Sequence, residues 1–247
     1  MASITLDRVS RTYADAPEPA VNNVSLHINN GEFFALTGPT GCGKSTLLRI
    51  IAGIEECDSG TIYLNGKDIT ATPPPMRNMT MVFQNYALYP HMTVSENMGF
   101  ALRIAGLEEA EIQSRIHEAA EIMDLTSHLN DKPTELSRVE RQRVALGRAI
   151  VRRPSIYLMD EPLINMDPKI RDATREQIIR LQKLTGVTTL YVTSNPNECF
   201  DFATRVAVML NEKICQVGTP EELRANPANE EVAAFLSCPS PNEGLLN

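Results

Sequence analysis

The stretch Phe33-Phe34-Ala35-Leu36-Thr37-Gly38-Pro39-Thr40-Gly41-Cys42-Gly43-Lys44-Ser45-Thr46-Leu47-Leu48 decides how the rest of the chain is read. An apolar run, Phe33 to Leu36, leads into G-x-x-x-x-G-K-[ST], and an apolar-periodic helix opens directly behind it. Glycines at these places let backbone N–H groups curl around a polyphosphate. Lys44 brings a cation to the outer phosphates, and Ser45 offers a hydroxyl to Mg²⁺. Gly38, Pro39, Thr40, Gly41, Cys42, Gly43, Lys44, Ser45 and Thr46 are therefore expected to hold a nucleotide. The competing reading, a glycine-rich turn without a ligand, fits poorly between a strand and a helix. The helix carries Leu47, Leu48, Ile50 and Ile51 and is expected to stop at a glycine cap, Gly53.

With 247 residues, 43 % of them hydrophobic, the chain can build a full core in one large or two small domains. A net charge of −8 and a pI near 5.1 argue against a nucleic-acid coat, whose affinity comes from neutralising phosphates. There is no run of about eighteen apolar residues, and Met1 to Asp7 lacks the basic start and apolar core of a secretory signal. A soluble, cytoplasmic protein is expected. The five cysteines, Cys42, Cys57, Cys199, Cys215 and Cys238, are scattered and point to neither a zinc site nor a disulfide framework. Cys42 has two readings: a thiol whose pKa falls among N–H donors beside Lys44, or a small residue that merely fits the loop.

Upstream of the loop, Ile4 to Leu6 and Val24 to Ile28 read as short strands around a proline-containing loop. Downstream, Gly60 to Gly66 reads as a strand entering a hairpin turn, Pro73-Pro74-Pro75 as a loop that forbids regular structure, and Thr80 to Phe83 as a short buried strand. From about Val94 to Arg153 the pattern is helical. The last of these helices, roughly Val139 to Arg153, sets Arg141, Arg143, Arg148, Arg152 and Arg153 opposite Val144, Ala145, Ala149 and Ile150, a solvated face more than an anion site. Then the α/β rhythm returns: strand Ile156 to Met159, helix Ile170 to Leu184, and strands Thr188 to Thr193, Val206 to Leu210 and Lys213 to Val217. Strands alternating with helices mean a largely parallel sheet. A polar tail with one helical patch, Val232 to Leu236, closes the chain.

Asp160-Glu161 follows the strand Ile156 to Met159, and in an open α/β sheet ligands gather at that edge. This is a Walker B arrangement: Asp160 to hold Mg²⁺, through water, and Glu161 to polarise the water that attacks the γ-phosphate. Gln84 ends its own strand just before the helical stretch and can reach the same metal and water, or is simply a polar strand terminus.

These segments together resemble the ATP-binding subunits of ABC transporters, and Val82-Phe83-Gln84-Asn85-Tyr86-Ala87-Leu88-Tyr89-Pro90-His91-Met92-Thr93-Val94 resembles their maltose and glycerol-3-phosphate importer branch. The resemblance runs from about Ser3 to Pro241. It implies an α/β fold with a P-loop NTPase, RecA-like core (about 31–55 and 154–220), an antiparallel β subdomain (about 1–80, interleaved with the core) and an inserted helical subdomain (about 90–153). Together these make one nucleotide-binding domain over 1–240, with 241–247 as tail. It implies that ATP and Mg²⁺ are the ligands, with Tyr13 stacking on the adenine, Gln84 contacting nucleotide and metal, Ser45 and Asp160 on the metal, and Asp167 in the D-loop. The partners implied are membrane-spanning permease subunits, one of whose helices docks around Tyr86 to Met92, and a second ABC subunit, self or an intact paralogue. The pair forms a head-to-tail dimer on the inner face of the cell membrane, with no nucleic acid involved.

Two segments depart from the family pattern. Where its signature has Leu-Ser-Gly-Gly-Gln, this chain has Leu136-Ser137-Arg138-Val139-Glu140. Side chains on Arg138 and Val139 obstruct a close backbone approach to phosphate, and Glu140 repels it. Where the family has a switch histidine, this chain has Ser194, expected to reach phosphate only through water. His27, His91, His117 and His128 do not align with that position and read as surface or packing residues. Impaired turnover, or a non-hydrolysing role beside an intact ATPase, follows as an expectation. The chain ends at Asn247, about where relatives continue into a β-rich regulatory domain, so regulation through such a domain is not expected.

Overall fold

In the computed structural model, residues 2–82, 88–164, 166 and 168–237 are described, Lys169 by its backbone alone. The strands are β1 (Ile4–Arg11), β2 (Val21–Ile28), β3 (Phe33–Thr37), β4 (Ser59–Leu64), β5 (Lys67–Asp68), β6 (Met79–Val82), β7 (Ile156–Asp160), β8 (Thr188–Thr193), β9 (Arg205–Leu210) and β10 (Lys213–Gly218). The helices are α1 (Lys44–Ala52), α2 (Val94–Ile104), α3 (Glu109–Ile122), α4 (Arg138–Ile150), α5 (Pro168–Thr185), α6 (Pro196–Cys199), α7 (Pro220–Ala225) and α8 (Glu230–Ser237).

Strands whose apolar residues alternate pair antiparallel in the order β2-β1-β4-β5, with one face buried and the other wet. Strands buried along their whole length, such as β3 and β8, lie inside a six-stranded sheet of order β10-β9-β3-β8-β7-β6, parallel except for β10. The α/β order expected from the alternation is therefore present. Ile4, Leu6 and Ile62 of the first sheet, Leu47, Leu48, Ile50 and Ile51 of α1, and Phe34, Leu36, Leu158 and Leu190 of the second form one core. Side chains on the other face of the parallel sheet, among them Ala35, Tyr157, Met159 and Tyr191, share a second core with α2 to α5.

The parallel register aligns Thr37 with Thr193 and Val192 with Asp160, so the loops after β3, β8 and β7 open side by side. Capping boxes start two of the helices behind that edge, Thr93 with Glu96 on α2 and Ser137 with Glu140 on α4. Gln142, buried on α4, accepts a hydrogen bond from Thr174 Oγ1 on α5 at 2.6 Å.

β1 and β2 run eight residues each, longer than the short strands expected. β1 is paired on both sides and keeps its ladder through register shifts near Arg8, whose φ is +51°. The proline triplet forms a short 3₁₀ turn at Pro74–Met76 rather than irregular loop, since Pro suits the first turn of a helix. Directly after it, the Arg77 guanidinium is 3 % exposed and donates to the carbonyls of Thr72, Ile50, Ile51 and Thr70 at 2.7 to 2.9 Å. Two of those carbonyls belong to the last turn of α1, where the i→i−4 ladder runs out and only Ile50 O is also met by the Gly53 cap N–H. A Cβ on Gly53, the left-handed cap of α1, would lie 2.5 Å from Arg77 Nε.

Glu32, 4 % exposed at its side chain, forms a two-point pair with Arg205 on β9 at 2.7 and 2.9 Å and accepts from Asn29. Burial pushes the Glu32 carboxyl up, but Arg205 and the Asn29 donors outweigh it and leave the carboxyl below its ordinary value. Arg205→Ala strands that carboxylate, and a loss of about 3 kcal/mol in denaturant midpoint experiments is expected. Because the folded-state pKa is depressed, the native chain should lose this contribution as pH falls through and below the ordinary carboxylate range, and the variant should show a smaller loss. Among the described residues, no helix is long and apolar enough to cross a membrane.

Candidate active site

The loop after β3 folds as its glycines require. A Cβ at Gly38 would lie 2.1 Å from Met209 O, and one at Gly43 1.9 Å from Ala20 O, while Gly41 has a φ of +88°. Gly43 starts α1 with no side-chain cap, and the first turn of α1 holds no acidic residue. Its N–H groups are thus left for an anion, unlike those of α2 and α4, which carry their own carboxylates.

Lys44, next in line, is buried and donates to Gly38 O at 2.7 Å and Pro39 O at 2.8 Å. Its ammonium stands 3.8 Å from Glu161 Oε1. Ser45 Oγ donates to Asp160 Oδ1 at 2.8 Å, joining α1 to the end of β7. A hydroxyl and a carboxylate in contact are the hard oxygen donors that Mg²⁺ takes, so the residues present fit that ion. Glu161 turns away from β7 with φ +47°, a left-handed conformation, and its N–H donates to Val192 O at 3.0 Å.

β8 lies between β3 and β7, and this decides what Ser194 touches. Its Oγ donates to Glu161 Oε2 at 3.0 Å, which commits its single proton to that carboxylate and leaves its lone pairs to accept from a water. Behind it Asn195 caps α6 by accepting from Asn197 N, and the Tyr191 hydroxyl donates to Glu198. Burial pushes the Glu198 carboxyl up. The expected fall in the Cys42 pKa is not found: burial of the thiol raises it, outweighing Lys44. Cys42 packs as a small apolar residue whose Sγ fills the space beside Gly38.

Tyr13 lies beside the loop, its hydroxyl 3.4 Å from Thr46 Oγ1. The structure thus gathers Tyr13 and Gly38 to Thr46 with Asp160, Glu161 and Ser194. Gln84, Asp167 and Tyr86 lie outside the described residues. Of the segment Tyr86 to Met92, the described part is held from behind by buried Asn97, which bonds Tyr89 N, Tyr89 O and Met92 O. Tyr89 packs on Phe100, with Arg148 over its ring at 5.0 Å. Arg148 therefore lies on an aromatic ring rather than on a wholly solvated face.

At the start of α4, Glu140 Oε2 accepts from Ser137 N at 2.7 Å and Ser137 Oγ accepts from Glu140 N at 3.3 Å. His128 bridges Asp131 and Glu140, at 2.7 and 3.4 Å. Hydrogen bonds from Ser137 hold the Glu140 carboxyl below its ordinary value. Sequence spacing did not indicate His128 here, since a short 3₁₀ turn at Thr126–His128 delivers it.

A family model described as ABC transporter matches residues 21–164. The diacetylchitobiose uptake system ATP-binding protein of Streptomyces coelicolor is 50 % identical over 98 % of this chain and 64 % of that protein. The sn-glycerol-3-phosphate import ATP-binding protein of Paraburkholderia xenovorans is 47 % identical over 98 % of this chain and 67 % of its own length. The trehalose import ATP-binding protein of Mycobacterium tuberculosis is 48 % identical over 98 % and 61 %. The chain spans 61 to 67 % of the length of these relatives. A solved ATP-binding cassette of an ABC transporter, in its ADP conformation, shares the fold with a TM-score of 0.83 at 24 % identity, over 95 % of this chain and 99 % of that one. With the family model spanning more than half of the chain and relatives about half identical along 98 % of it, this chain belongs to the ABC transporter family.

Proposed function

We propose that the chain is the ATP-binding subunit of an importer for a carbohydrate, polyol or glycerol-phosphate-like solute. It works at the inner face of the membrane with permease subunits and a second ABC subunit. The observation that carries this reading is the convergence of the uncapped start of α1, Lys44, the Ser45 and Asp160 pair, and Glu161 at neighbouring ends of β3, β8 and β7. The import function is supported by relatives named for uptake of disaccharides and glycerol phosphate.

The loop amides and Lys44 bind the triphosphate, and Lys44 exchanges its carbonyl partners for phosphate oxygens. Ser45 and Asp160 would hold Mg²⁺, which when bound draws negative charge from the phosphate oxygens. Glu161 orients the attacking water and accepts its proton, with Ser194 holding the second carboxylate oxygen. Tyr13 supports the adenine, Gln84 contacts metal and water, and the surface around Tyr86 to Met92 receives the permease.

The start of α4 is poorly suited to serve a partner's nucleotide. Its own Glu140 carboxylate takes the Ser137 N–H and stands where an opposing phosphate would come, Ser137 Oγ is engaged by the Glu140 N–H, and Arg138 and Val139 add bulk. Slow turnover is therefore part of the proposal. ATP hydrolysis by the purified protein, alone and with permease subunits, tests it. Arg138→Gly, Val139→Gly and Glu140→Gln combined should raise turnover about 10- to 100-fold. Mg-ATP binding without turnover in any assembly, the combined variant included, would contradict it.

A further inference from the structure

Beside the phosphate loop, Tyr13 is held by side chains that nucleotide binding as described does not use, Arg11 and Glu55. Tyr13 sits half-buried between β1 and β2. Its hydroxyl donates to Glu55 Oε2 at 2.8 Å. The Arg11 guanidinium stands over the Tyr13 ring, 5.4 Å from its centre. The same guanidinium meets Glu55 at 3.5 Å and Asp58 at 2.8 Å, and Asp58 accepts the Thr12 N–H at 2.6 Å. Glu55 follows the C-terminus of α1 and returns its N–H to Arg49 O, so one helix carries Lys44 at its start and the acceptor for Tyr13 just past its end.

A tyrosine in a loop loses rotamer freedom when a flat ligand stacks on it. Here the freedom is already gone, because a charge-assisted bond holds the ring at its tip and a cation covers one face. With Arg11 over one face, a second ring can stack only on the opposite one. We propose that Glu55 and Arg11 are positioning residues that hold Tyr13 as a platform for a purine base, so that affinity for the base depends on them and affinity for the phosphates does not. The proposal rests on the nucleotide reading given above.

Titration calorimetry with two probes, Mg-ATP and inorganic Mg-tripolyphosphate, separates base from phosphate. Glu55→Ala should weaken Mg-ATP about five- to tenfold and leave tripolyphosphate within twofold. Tyr13→Phe, which keeps the ring and removes its hydroxyl, should match it, and the double variant should lose no more than either alone. Glu55→Gln, which keeps an acceptor for the hydroxyl, should stay within about threefold of the native chain. Native affinity for Mg-ATP in both single variants, or an equal loss of both probes, overturns the proposal. Failure of the native chain to bind either probe overturns the nucleotide reading, and this proposal with it.

Discussion

Glu161→Gln is expected to lower ATP turnover about 10² to 10³-fold while leaving Mg-ATP affinity within about threefold. The two side chains are nearly the same shape, and the Ser194 hydroxyl can donate to an amide oxygen as it does to Glu161 Oε2. The left-handed turn at residue 161 and its N–H bond to Val192 do not depend on charge, so the backbone should stay in place. What is lost is the ability to accept a proton from water. Substrate binding and the proton-transfer step are thereby separated, which a kcat change at constant affinity would record. Single-turnover phosphate release beside calorimetric titration measures both. Turnover within a factor of three of the native chain would remove Glu161 from the role of base.

Lys44→Ala is expected to act on the other quantity, weakening Mg-ATP about 10²-fold or more. Charge-assisted bonds to phosphate disappear, and so do the two bonds by which the ammonium steadies the loop at Gly38 O and Pro39 O. The second loss is a stability effect and is expected to be about 1 to 2 kcal/mol, since two carbonyls lose a buried partner. Thermal unfolding without nucleotide measures that part. Calorimetry measures the remainder, and unchanged affinity would show that the loop does not grip phosphate.

The segments nearest the loop were legible because their signals are local. Gly38 to Thr46, the Gly53 cap and the strand before Asp160 each lie within one motif, and β8 runs from Thr188 to Thr193 as its apolar pattern indicates. The parts that were not legible depend on pairs far apart in sequence. Nothing near Arg8 announces that β1 continues past it, because the ladders to β2 and β4 that carry it there are non-local. Glu55, Arg205 and Ser194 acquire their roles from Tyr13, Glu32 and Glu161, which the chain order separates. The choice between the two readings of Cys42 was not legible for another reason: the cation beside it is visible in sequence, whereas the burial that outweighs it is a property of the packed loop.

Arg77 has a mechanical meaning that its hydrogen bonds alone do not convey. By gripping Ile50 O and Ile51 O together with Thr70 O and Thr72 O, it pins the far end of α1 to the loop between β5 and the 3₁₀ turn. At 1.5 Å per residue, α1 is a rod about 13 Å long. Ser45 ties its near end to Asp160 on β7, so the rod is clamped at both ends and keeps the phosphate loop at a fixed height above the parallel sheet.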